Sequence, residues 1–389
     1  MASDAGPRPA VRAAQALVPL ALAAALAVYV LAPGPGLEPP GLVVLPEITI
    51  EQVEFADGEI RASVRNTGHV DVSIAQADVN DRIQPSAAEP GSRLGRLAQA
   101  TVRIPYEWNA GEPYEIGITL DDGTRFARAV EAAVPAITAD AQTLSYLVAV
   151  GACVGVVPVA IGLAWRPAIA RLRSGARAAV LAFAMGLLAF VAADTMRESL
   201  EVSAEWGLDS AYNGTLMAVT AAALVFLAMQ WASAAMRRAG AQAPVAIAVL
   251  VAAGIGMHNL GEGLAIGAAA ALGQAAFAST LVVGLALHNV TEGLAIAAPV
   301  ARSRVGLAGL AGLAALAGLP VMAGTAAGAL AFSPAAAAVL LAAAAGAVVQ
   351  VIASMASWMR SEGISLSGAP VLAGAGAGMA TLYAVSVLA

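Results

Sequence analysis

The chain has 389 residues, of which 59% are hydrophobic and only 12% are charged. Soluble domains carry about 25% charged residues, so this composition favours a membrane protein. The net charge of −6 arises mostly between residues 46 and 140, where 16 acidic residues stand beside 8 arginines, and this acidity excludes nucleic acid as a partner. The single cysteine, Cys153, excludes a disulfide framework.

The N-terminal segment predicts a membrane anchor. Residues 11–31 form an apolar run that is long for the hydrophobic part of a signal peptide, and no clear cleavage site follows it. We therefore expect a retained transmembrane helix, with a cleaved signal peptide as the alternative. Because residues 33–41 are rich in Pro and Gly, residues 1–40 are predicted to be anchor and linker.

Residues 41–136 predict a small β-domain. Segments such as 48–53 and 60–66 alternate apolar and polar residues, and turn signals such as Asp57-Gly58 separate them. The pattern predicts about seven short strands and hence a β-sandwich of immunoglobulin-like type. It contains no recognisable catalytic constellation, and its histidine, His69, is expected at the surface.

Residues 137–389 predict a bundle of eight transmembrane helices, since each apolar segment is long enough to cross a bilayer. The predicted segments are 143–165, 178–200, 212–235, 244–270, 274–299, 304–331, 334–358 and 369–388. The predicted fold class is therefore an all-α polytopic membrane bundle, with eight helices plus one N-terminal helix, that carries a small all-β extracellular domain.

Arginine placement predicts the orientation of this bundle. If the N-terminus is cytoplasmic, the loop at 166–173 and the loops that hold Arg237, Arg302 and Arg360 all lie inside, as the positive-inside rule requires. The acidic stretch 198–213 then lies outside. We expect a multi-pass protein of the cytoplasmic membrane, with the N-terminus inside and the β-domain and C-terminus outside.

Two near-copies of one polar motif lie inside consecutive apolar helices. The first copy begins His258-Asn259 and reaches Glu262, and the second begins His288-Asn289 and reaches Glu292. Ionisable groups are costly in a hydrocarbon layer, and those present face the bundle interior and are functional more often than not. A hydrogen-bonded pair that only holds helices together is the structural alternative for either copy alone.

The spacing within each motif predicts a shared metal site. His and Glu four residues apart lie on one helix face, and Asn lies close to that face. If the chain turns at Gly273-Gln274, antiparallel helices place His258 and His288 at the same depth, with Glu262 and Glu292 each about 6 Å away along the bundle. Imidazole, carboxylate and amide oxygen suit Zn²⁺, and also Fe²⁺, Mn²⁺, Co²⁺ or Cd²⁺.

Three further polar residues are candidates for an ion pathway. Asp194 and Glu198 lie four residues apart near the outer end of the second of the eight helices. They recruit cations at an entrance, or they are a solvated helix end. Gln350 lies in the apolar seventh helix, where it lines a path or bridges helices.

At the doubled motif the sequence resembles the ZIP family of divalent metal transporters, in its bacterial and archaeal branch. The resemblance covers residues 143–389 and implies eight transmembrane helices with both termini outside. It implies metal ligation by His258, Asn259 and Glu262 in the fourth helix, and by Asn289 and Glu292 in the fifth, with His288 preceding them. Alternating access between two rigid helix groups is the mechanism that the resemblance implies.

The sequence departs from that family at two positions. Many relatives carry a Glu just after Gly-Leu-Pro in the sixth helix, whereas Gly318-Leu319-Pro320 is followed here by Val321 and Met322. Acidic residues that end the seventh helix in relatives are replaced by Ser354, Met355 and Ser357. We therefore expect one good metal site rather than two. The anchor helix and the β-domain lie outside the family core.

The predicted function is uptake of a divalent metal ion, and the chain is not expected to be an enzyme. A metal sensor that does not transport is one alternative, and an intramembrane metal-dependent hydrolase is another, although the H-E-x-x-H pattern is absent. The predicted partners are the metal ion, the lipid bilayer, a second copy of the chain in a homodimer, and an unknown ligand for the β-domain.

Overall fold

The structure is a computed structural model that describes residue 22 and residues 45–136, 140–241, 243–271 and 275–388. Within it, Pro46–Ala389 form one compact unit. The predicted anchor at 11–31, the linker at 33–41 and the turn at Gly273-Gln274 lie outside the described residues, and these three expectations stay predictions.

The β-domain consists of antiparallel strands, nine in its described residues where the sequence predicted about seven. Three short strands that carry little alternation, β4, β5 and β6, account for the difference. The strands are β1 (Ile48–Ala56), β2 (Glu59–Asn66), β3 (Val72–Val79), β4 (Arg82–Gln84), β5 (Ala87–Glu89), β6 (Arg93–Leu94), β7 (Gln99–Pro105), β8 (Tyr114–Leu120) and β9 (Arg125–Val130).

Two sheets enclose one apolar core. One sheet has the order β1-β2-β7-β5, the other has the order β4-β3-β8-β9, and β6 pairs with β3. In β2 every second residue is buried, because the side chains of a strand point alternately to the two faces of the sheet. Ile60 and Val64 from the first sheet and Ile116 and Ile118 from the second are completely buried in that core.

The remainder of the chain is helical. The helices are α1 (Ala141–Gly151), α2 (Val157–Leu163), α3 (Arg166–Ala170), α4 (Ser174–Glu205), α5 (Leu208–Tyr212), α6 (Gly214–Arg238), α7 (Ala243–Ala271), α8 (Ala275–Ala297), α9 (Leu307–Ala331), α10 (Pro334–Ser361) and α11 (Ala369–Leu388), and a π-helical segment (Ala152–Val156) joins α1 to α2. Seven helical stretches of the described residues are long and apolar enough to cross a membrane, and a shorter apolar helix covers Leu281–Ala297. This supports a multi-pass membrane protein.

Helix α4 is longer than the predicted segment 178–200. It has 32 residues, and it continues through acidic residues that the sequence analysis placed in a loop at 198–213. The prediction was wrong there because charged residues at the end of a membrane helix can extend the helix into water. The helix ends at Trp206, where Gly207 adopts the left-handed conformation (φ +63°) that commonly terminates helices.

Glycines bring α7 and α9 into close contact. A Cβ atom on Gly263 would overlap the carbonyl oxygen of Val321, and one on Gly324 would overlap that of Leu260. Gly293 on α8 lies in the same way against Val159 of α2. These glycines let the neighbouring backbones approach closely on both sides of the two motifs.

Two of the arginine-bearing loops lie at the same end of the bundle. Arg166 donates hydrogen bonds to the carbonyl oxygens of Val300 (3.0 Å) and Ser303, and Arg302 donates to those of Ala170 (3.1 Å) and Leu172 (2.9 Å). Helix α4 begins at this end, and its other end contacts the β-domain. A helix of 32 residues is about 48 Å long, so the two loops and the β-domain lie at opposite ends of the bundle.

Candidate metal centre

Helices α7 and α8 bring the two motifs together as the sequence predicted. In each helix the histidine and the glutamate lie one turn apart: His258 Nε2 is 3.0 Å from Glu262 Oε1, and His288 Nε2 is 3.4 Å from Glu292 Oε1. The cross-helix distances are 4.0 Å for His258 Nε2 to Glu292 Oε1 and 3.9 Å for His288 Nε2 to Glu262 Oε1. The two imidazole rings lie 5.6 Å apart between centroids.

The spacings between histidine nitrogens and glutamate oxygens are those of ligands that share one metal ion. Zn²⁺ binds histidine nitrogen and carboxylate oxygen at about 2.1 Å, so two ligand atoms of a tetrahedral ion lie about 3.4 Å apart and never more than about 4.2 Å. The four histidine–glutamate distances, from 3.0 to 4.0 Å, fall within that limit. One ligand atom each of His258, Glu262 and His288 lies within 4.8 Å of the others, so these three residues could hold one ion in the present arrangement, and Glu292 lies outside that group.

Several polar atoms of this cluster are buried without a hydrogen-bond partner among the described residues. They are Nε2 of both histidines, Oδ1 of both asparagines and both carboxylate oxygens of Glu292. Although His258 Nε2 lies 3.0 Å from Glu262, the direction of its ring N–H does not meet hydrogen-bond geometry. Buried polar atoms are almost always paired, and unpaired nitrogen and oxygen atoms that lie close together are a donor set that could hold a cation.

The ring of His258 is oriented by Thr195 on α4. The hydroxyl oxygen of Thr195 lies 2.7 Å from His258 Nδ1, and both side chains are buried. A histidine that binds a metal through one nitrogen commonly donates a hydrogen bond from the other, which fixes both the tautomer and the ring plane. Sequence reasoning missed Thr195. The available signal was a polar residue inside an apolar helix, but nothing in the sequence linked it to a histidine 63 residues later.

The two asparagines are oriented by main-chain carbonyl groups. Asn259 Nδ2 donates to the carbonyl oxygen of Ala317 (3.0 Å), and Asn289 Nδ2 donates to that of Val154 (2.9 Å). A carbonyl group only accepts hydrogen bonds, so each amide nitrogen faces the neighbouring backbone and each Oδ1 is left for the cluster. Asn289 Nδ2 also lies 3.5 Å from Glu262 Oε2, which connects the two motifs directly.

Both accepting carbonyl groups belong to irregular helix segments. Val154 lies in the π-helical segment, where Val157 N bonds to Ala152 O instead of the residue four positions back. Ala317 lies next to Leu316, whose carbonyl oxygen loses its α-helical donor because Pro320 has no N–H group. Asn259 therefore donates to an oxygen beside this interruption, and Asn289 donates to an oxygen within the π-helical segment.

A cavity of about 890 Å³ connects the cluster with the far end of α4. His258, Glu262 and His288 line its deep part, and Arg128 of the β-domain and Trp206 line its other end. The cavity wall between them is acidic. Asp194, Glu198, Glu201 and Glu205 line it and follow one another at intervals of four, three and four residues, which is the spacing of a single helix face.

Of the three predicted pathway residues, two lie at the cavity and one lies elsewhere. Asp194 and Glu198 line the cavity, and Arg197 forms ion pairs with Asp194 (2.9 Å) and Glu201 (2.5 Å). Gln350 is buried elsewhere and is not among the described residues that line this cavity. Its Nε2 donates to Gln230 Oε1 (2.9 Å) and to Ser354 Oγ (2.8 Å), so it bridges α10 and α6.

The positions where the sequence departs from its predicted relatives are occupied by packing. Val321 is completely buried against Val154 and Ile266, Met322 lies against Gly151, and Met355 is buried in the main core. The expectation of one good metal site rather than two stays a prediction. No protein-family model matches the chain and no curated protein matches it, so the functional conclusion depends on this geometry.

Proposed function

We propose that the chain is a transporter of divalent metal ions, with zinc the foremost candidate, and that the ion passes through the His258/Glu262/His288/Glu292 cluster. One observation carries this proposal. Nitrogen and oxygen atoms from two helices converge at 3.0 to 4.0 Å inside a buried cluster, where several of them have no other partner in the described structure. A cation is the ligand that satisfies all of them together.

The cavity supports movement of the ion rather than permanent storage. A structural metal site is closed, whereas this cluster lies at the deep end of a cavity of about 890 Å³. The acidic face of α4 lines the route to it, and negative charge in such a cleft raises the local concentration of cations. Ions would therefore enter past Glu205 and Glu198 and lose water at Glu262 and His258.

The direction of ion transport follows from the charges at the two ends of the helical bundle. Arg166 and Arg302 lie in loops that contact each other, and the β-domain lies at the opposite end of α4. With the arginine-bearing end in the cytoplasm, the β-domain and the cavity mouth are extracellular. The proposed reaction is uptake across the cytoplasmic membrane, in which Glu292 and His288 pass the ion towards the arginine-bearing end.

The ligand chemistry narrows the candidate ions. Imidazole and carboxylate suit Zn²⁺, and they also suit Fe²⁺, Mn²⁺, Co²⁺ and Cd²⁺. Among the described residues that line the cavity no thiol is present, which lowers the case for ions that prefer sulfur. The buried Oδ1 atoms of Asn259 and Asn289, which have no hydrogen-bond partner among the described residues, would add hard oxygen ligands.

The proposed family is the ZIP transporters, on the strength of the two H-N-x-x-E-G motifs. For the β-domain we propose the immunoglobulin-like type that the sequence suggested. Its strand orders, β1-β2-β7-β5 and β4-β3-β8-β9, correspond to the A-B-E-D sheet and to the C-F-G sheet with one added strand.

One observation favours a metal sensor as a second candidate. The β-domain contacts Trp206 on α4, and the same helix contacts His258 through Thr195. Metal binding could therefore be reported to the β-domain through one rigid helix without any movement of the ion.

Uptake of ⁶⁵Zn²⁺ into proteoliposomes tests the proposal. The test variant is His258→Ala with Glu292→Ala, and the matched control is His69→Ala with Glu362→Gln, which changes one imidazole and one carboxylate at exposed positions. We expect the control to transport like the wild type and the test variant to lose at least 90% of the flux. Equal flux from all three proteins would refute the assigned site, and tight Zn²⁺ binding without flux would favour the sensor.

A further inference from the structure

The β-domain contacts the C-terminal end of α4, and an arginine of the β-domain takes part in this contact. The guanidinium carbon of Arg128, on β9, lies 4.0 Å from the ring centroid of Trp206, and the side chain donates to the carbonyl oxygen of Ile50 (2.9 Å). Trp206 is itself buried and packs against Phe332, the residue that follows α9, at 5.7 Å between ring centroids. Arg128 is therefore held between its own domain and the helical bundle.

Other contacts attach the same two parts without involving the cavity. Thr49 Oγ1 donates to the carbonyl oxygen of Trp206 (3.4 Å), and Arg96 donates to that of Ala211 (3.0 Å). Arg96 is exposed and is not among the described residues that line the cavity. The attachment of the β-domain and the charge at the cavity mouth can therefore be changed independently.

Arg128 places a positive charge at the mouth of an otherwise acidic cavity. It lines the cavity together with the four carboxylates of α4. Desolvation lowers the pKa of Arg128, and the charge of the Glu205 carboxylate acts in the opposite direction. An arginine stays protonated at every physiological pH, so this charge is permanent.

We propose that Arg128 controls the rate at which divalent cations enter the cavity, because its fixed charge offsets the attraction of the acidic α4 face. The inference rests on the proposed function, since it concerns the same ion and the same cavity. A pathway must attract an ion enough to admit it and hold it weakly enough to release it. Within α4, the positive charge of Arg197 partly neutralises the carboxylates of Asp194 and Glu201, with which it forms ion pairs. The positive charge of Arg128 lies at the end of the acidic face where Glu205 lies.

This assigns the β-domain a part in the transport path. Its strand β9 supplies a side chain to the cavity wall, so the domain is a fixed component of the entrance. A divalent ion interacts twice as strongly with this charge as a monovalent ion does, so Arg128 acts mainly on the ions that the cluster binds.

The test measures the rate at which Co²⁺ reaches the cluster of the detergent-solubilised full-length protein. Co²⁺ acquires visible absorption bands when it binds nitrogen and carboxylate ligands, and stopped-flow mixing follows their appearance. We expect Arg128→Gln to accelerate binding about fivefold at low ionic strength and hardly at all at 1 M salt, where the Debye length is about 3 Å. Arg128→Lys, which keeps the charge, should bind at the wild-type rate within a factor of two.

Arg96→Gln is the matched control, because it removes a contact between the β-domain and the helices and leaves the charges that line the cavity unchanged. We expect it to bind Co²⁺ at the wild-type rate. The inference is overturned if Arg128→Gln binds no faster than the wild type, or if Arg96→Gln is accelerated equally, since loosening of the domain would then be the cause. Failure of the proposed function has different signatures: a wild type without cobalt bands refutes the metal centre and this inference together, and binding without uptake refutes transport alone.

Discussion

Thr195 and His258 are joined by a contact of 2.7 Å between the threonine hydroxyl and Nδ1 of the imidazole, and this contact connects the metal cluster to α4. The same helix ends 10 residues later at Glu205, and the next residue, Trp206, contacts the β-domain. The orientation of His258 therefore depends on a helix outside the motif that contains it. Helix α4 thus connects the metal cluster on α7 with the β-domain.

Replacement of Thr195 by valine should weaken metal binding while leaving all four proposed ligands in place. Valine has nearly the same shape as threonine but cannot accept the Nδ1–H hydrogen bond, so the ring loses its fixed tautomer and orientation. Loss of such a supporting contact typically costs a factor of about 10 to 100 in affinity. Competition titration of Zn²⁺ against a chromophoric chelator measures the change.

Thr195→Ser is the control for that variant, because serine keeps the hydroxyl group. We expect its affinity to remain within about threefold of the wild type. If the valine and serine variants bind Zn²⁺ equally well, the hydroxyl does not orient His258.

Glu292 should have opposite effects on the metal-free and the metal-bound protein. Only 1% of this residue is exposed, and neither of its carboxylate oxygens has a hydrogen-bond partner among the described residues. A buried carboxylate without hydrogen bonds is costly, and an amide is less so. We therefore expect metal-free Glu292→Gln to unfold at a temperature equal to or above that of the wild type.

Addition of Zn²⁺ should reverse that order. The wild type gains about 2.7 kcal/mol of stability when free Zn²⁺ is 100 times its Kd, and the variant, which lacks one ligand, should gain less than half of this at the same concentration. Thermal unfolding in detergent, with Zn²⁺ or with a chelator, measures both states. Glu362→Gln, at an exposed acid, should match the wild type in both. An equal gain in the Glu292 variant would remove Glu292 from the site.

The sequence predicted the parts of this molecule that depend on periodic patterns. Alternation gave the long strands such as β2, and apolar length gave the membrane helices. The spacing within each His-Asn-x-x-Glu motif predicted that its histidine and glutamate share one helix face, and these pairs lie 3.0 and 3.4 Å apart. The approach of the two copies depends in addition on the packing of α7 against α8.

The sequence could not predict features that arise from tertiary packing. The π-helical segment at Ala152–Val156 has no local signature, yet it provides the carbonyl group of Val154 that orients Asn289. The contact between Thr195 and His258 joins residues 63 positions apart. The contact of the β-domain with Trp206 depends on how the β-domain packs against the helices, and no periodic sequence pattern predicts such packing.

Close packing of α7 on α9 should be required for the metal site. A Cβ atom on Gly324 would overlap the carbonyl oxygen of Leu260 and lie 3.0 Å from the Cα atom of Gly263. Gly324→Ala must therefore push the two helices apart, which typically costs about 1 to 3 kcal/mol. The same separation strains the hydrogen bond from Asn259 to Ala317, so Zn²⁺ affinity should fall together with stability.

Gly312 provides the control on the same helix, since a Cβ atom there would have no neighbour within 4 Å. Gly312→Ala should be neutral or slightly stabilising, because alanine favours helix more than glycine does. Unfolding midpoints and Zn²⁺ titrations of the two variants, measured in one detergent, give the comparison. A Gly324 variant that behaves like the Gly312 variant would show that the helices tolerate a wider spacing.

The contact between the β-domain and the end of α4 should depend on Gly207. This residue has φ +63°, and a Cβ atom on it would lie 2.8 Å from Thr49 Oγ1 and 3.2 Å from Thr67 Oγ1. Gly207→Ala therefore adds a steric clash to the usual cost of about 1 kcal/mol for a left-handed alanine. Gly111→Ala is the matched control, because Gly111 has φ +82° but open space around it.

Hydrogen exchange distinguishes the two variants, since backbone amides exchange faster where local structure opens more often. In Gly207→Ala we expect faster exchange in α5 and at the β1 residues around Thr49, whereas Gly111→Ala should change exchange only near its own turn. If this contact also determines the rate of cation entry, Gly207→Ala should displace Arg128 from the cavity mouth. Co²⁺ binding at low ionic strength should then be faster, as in Arg128→Gln. Faster exchange at this contact with an unchanged Co²⁺ binding rate would mean that Arg128 holds its position without the domain contact.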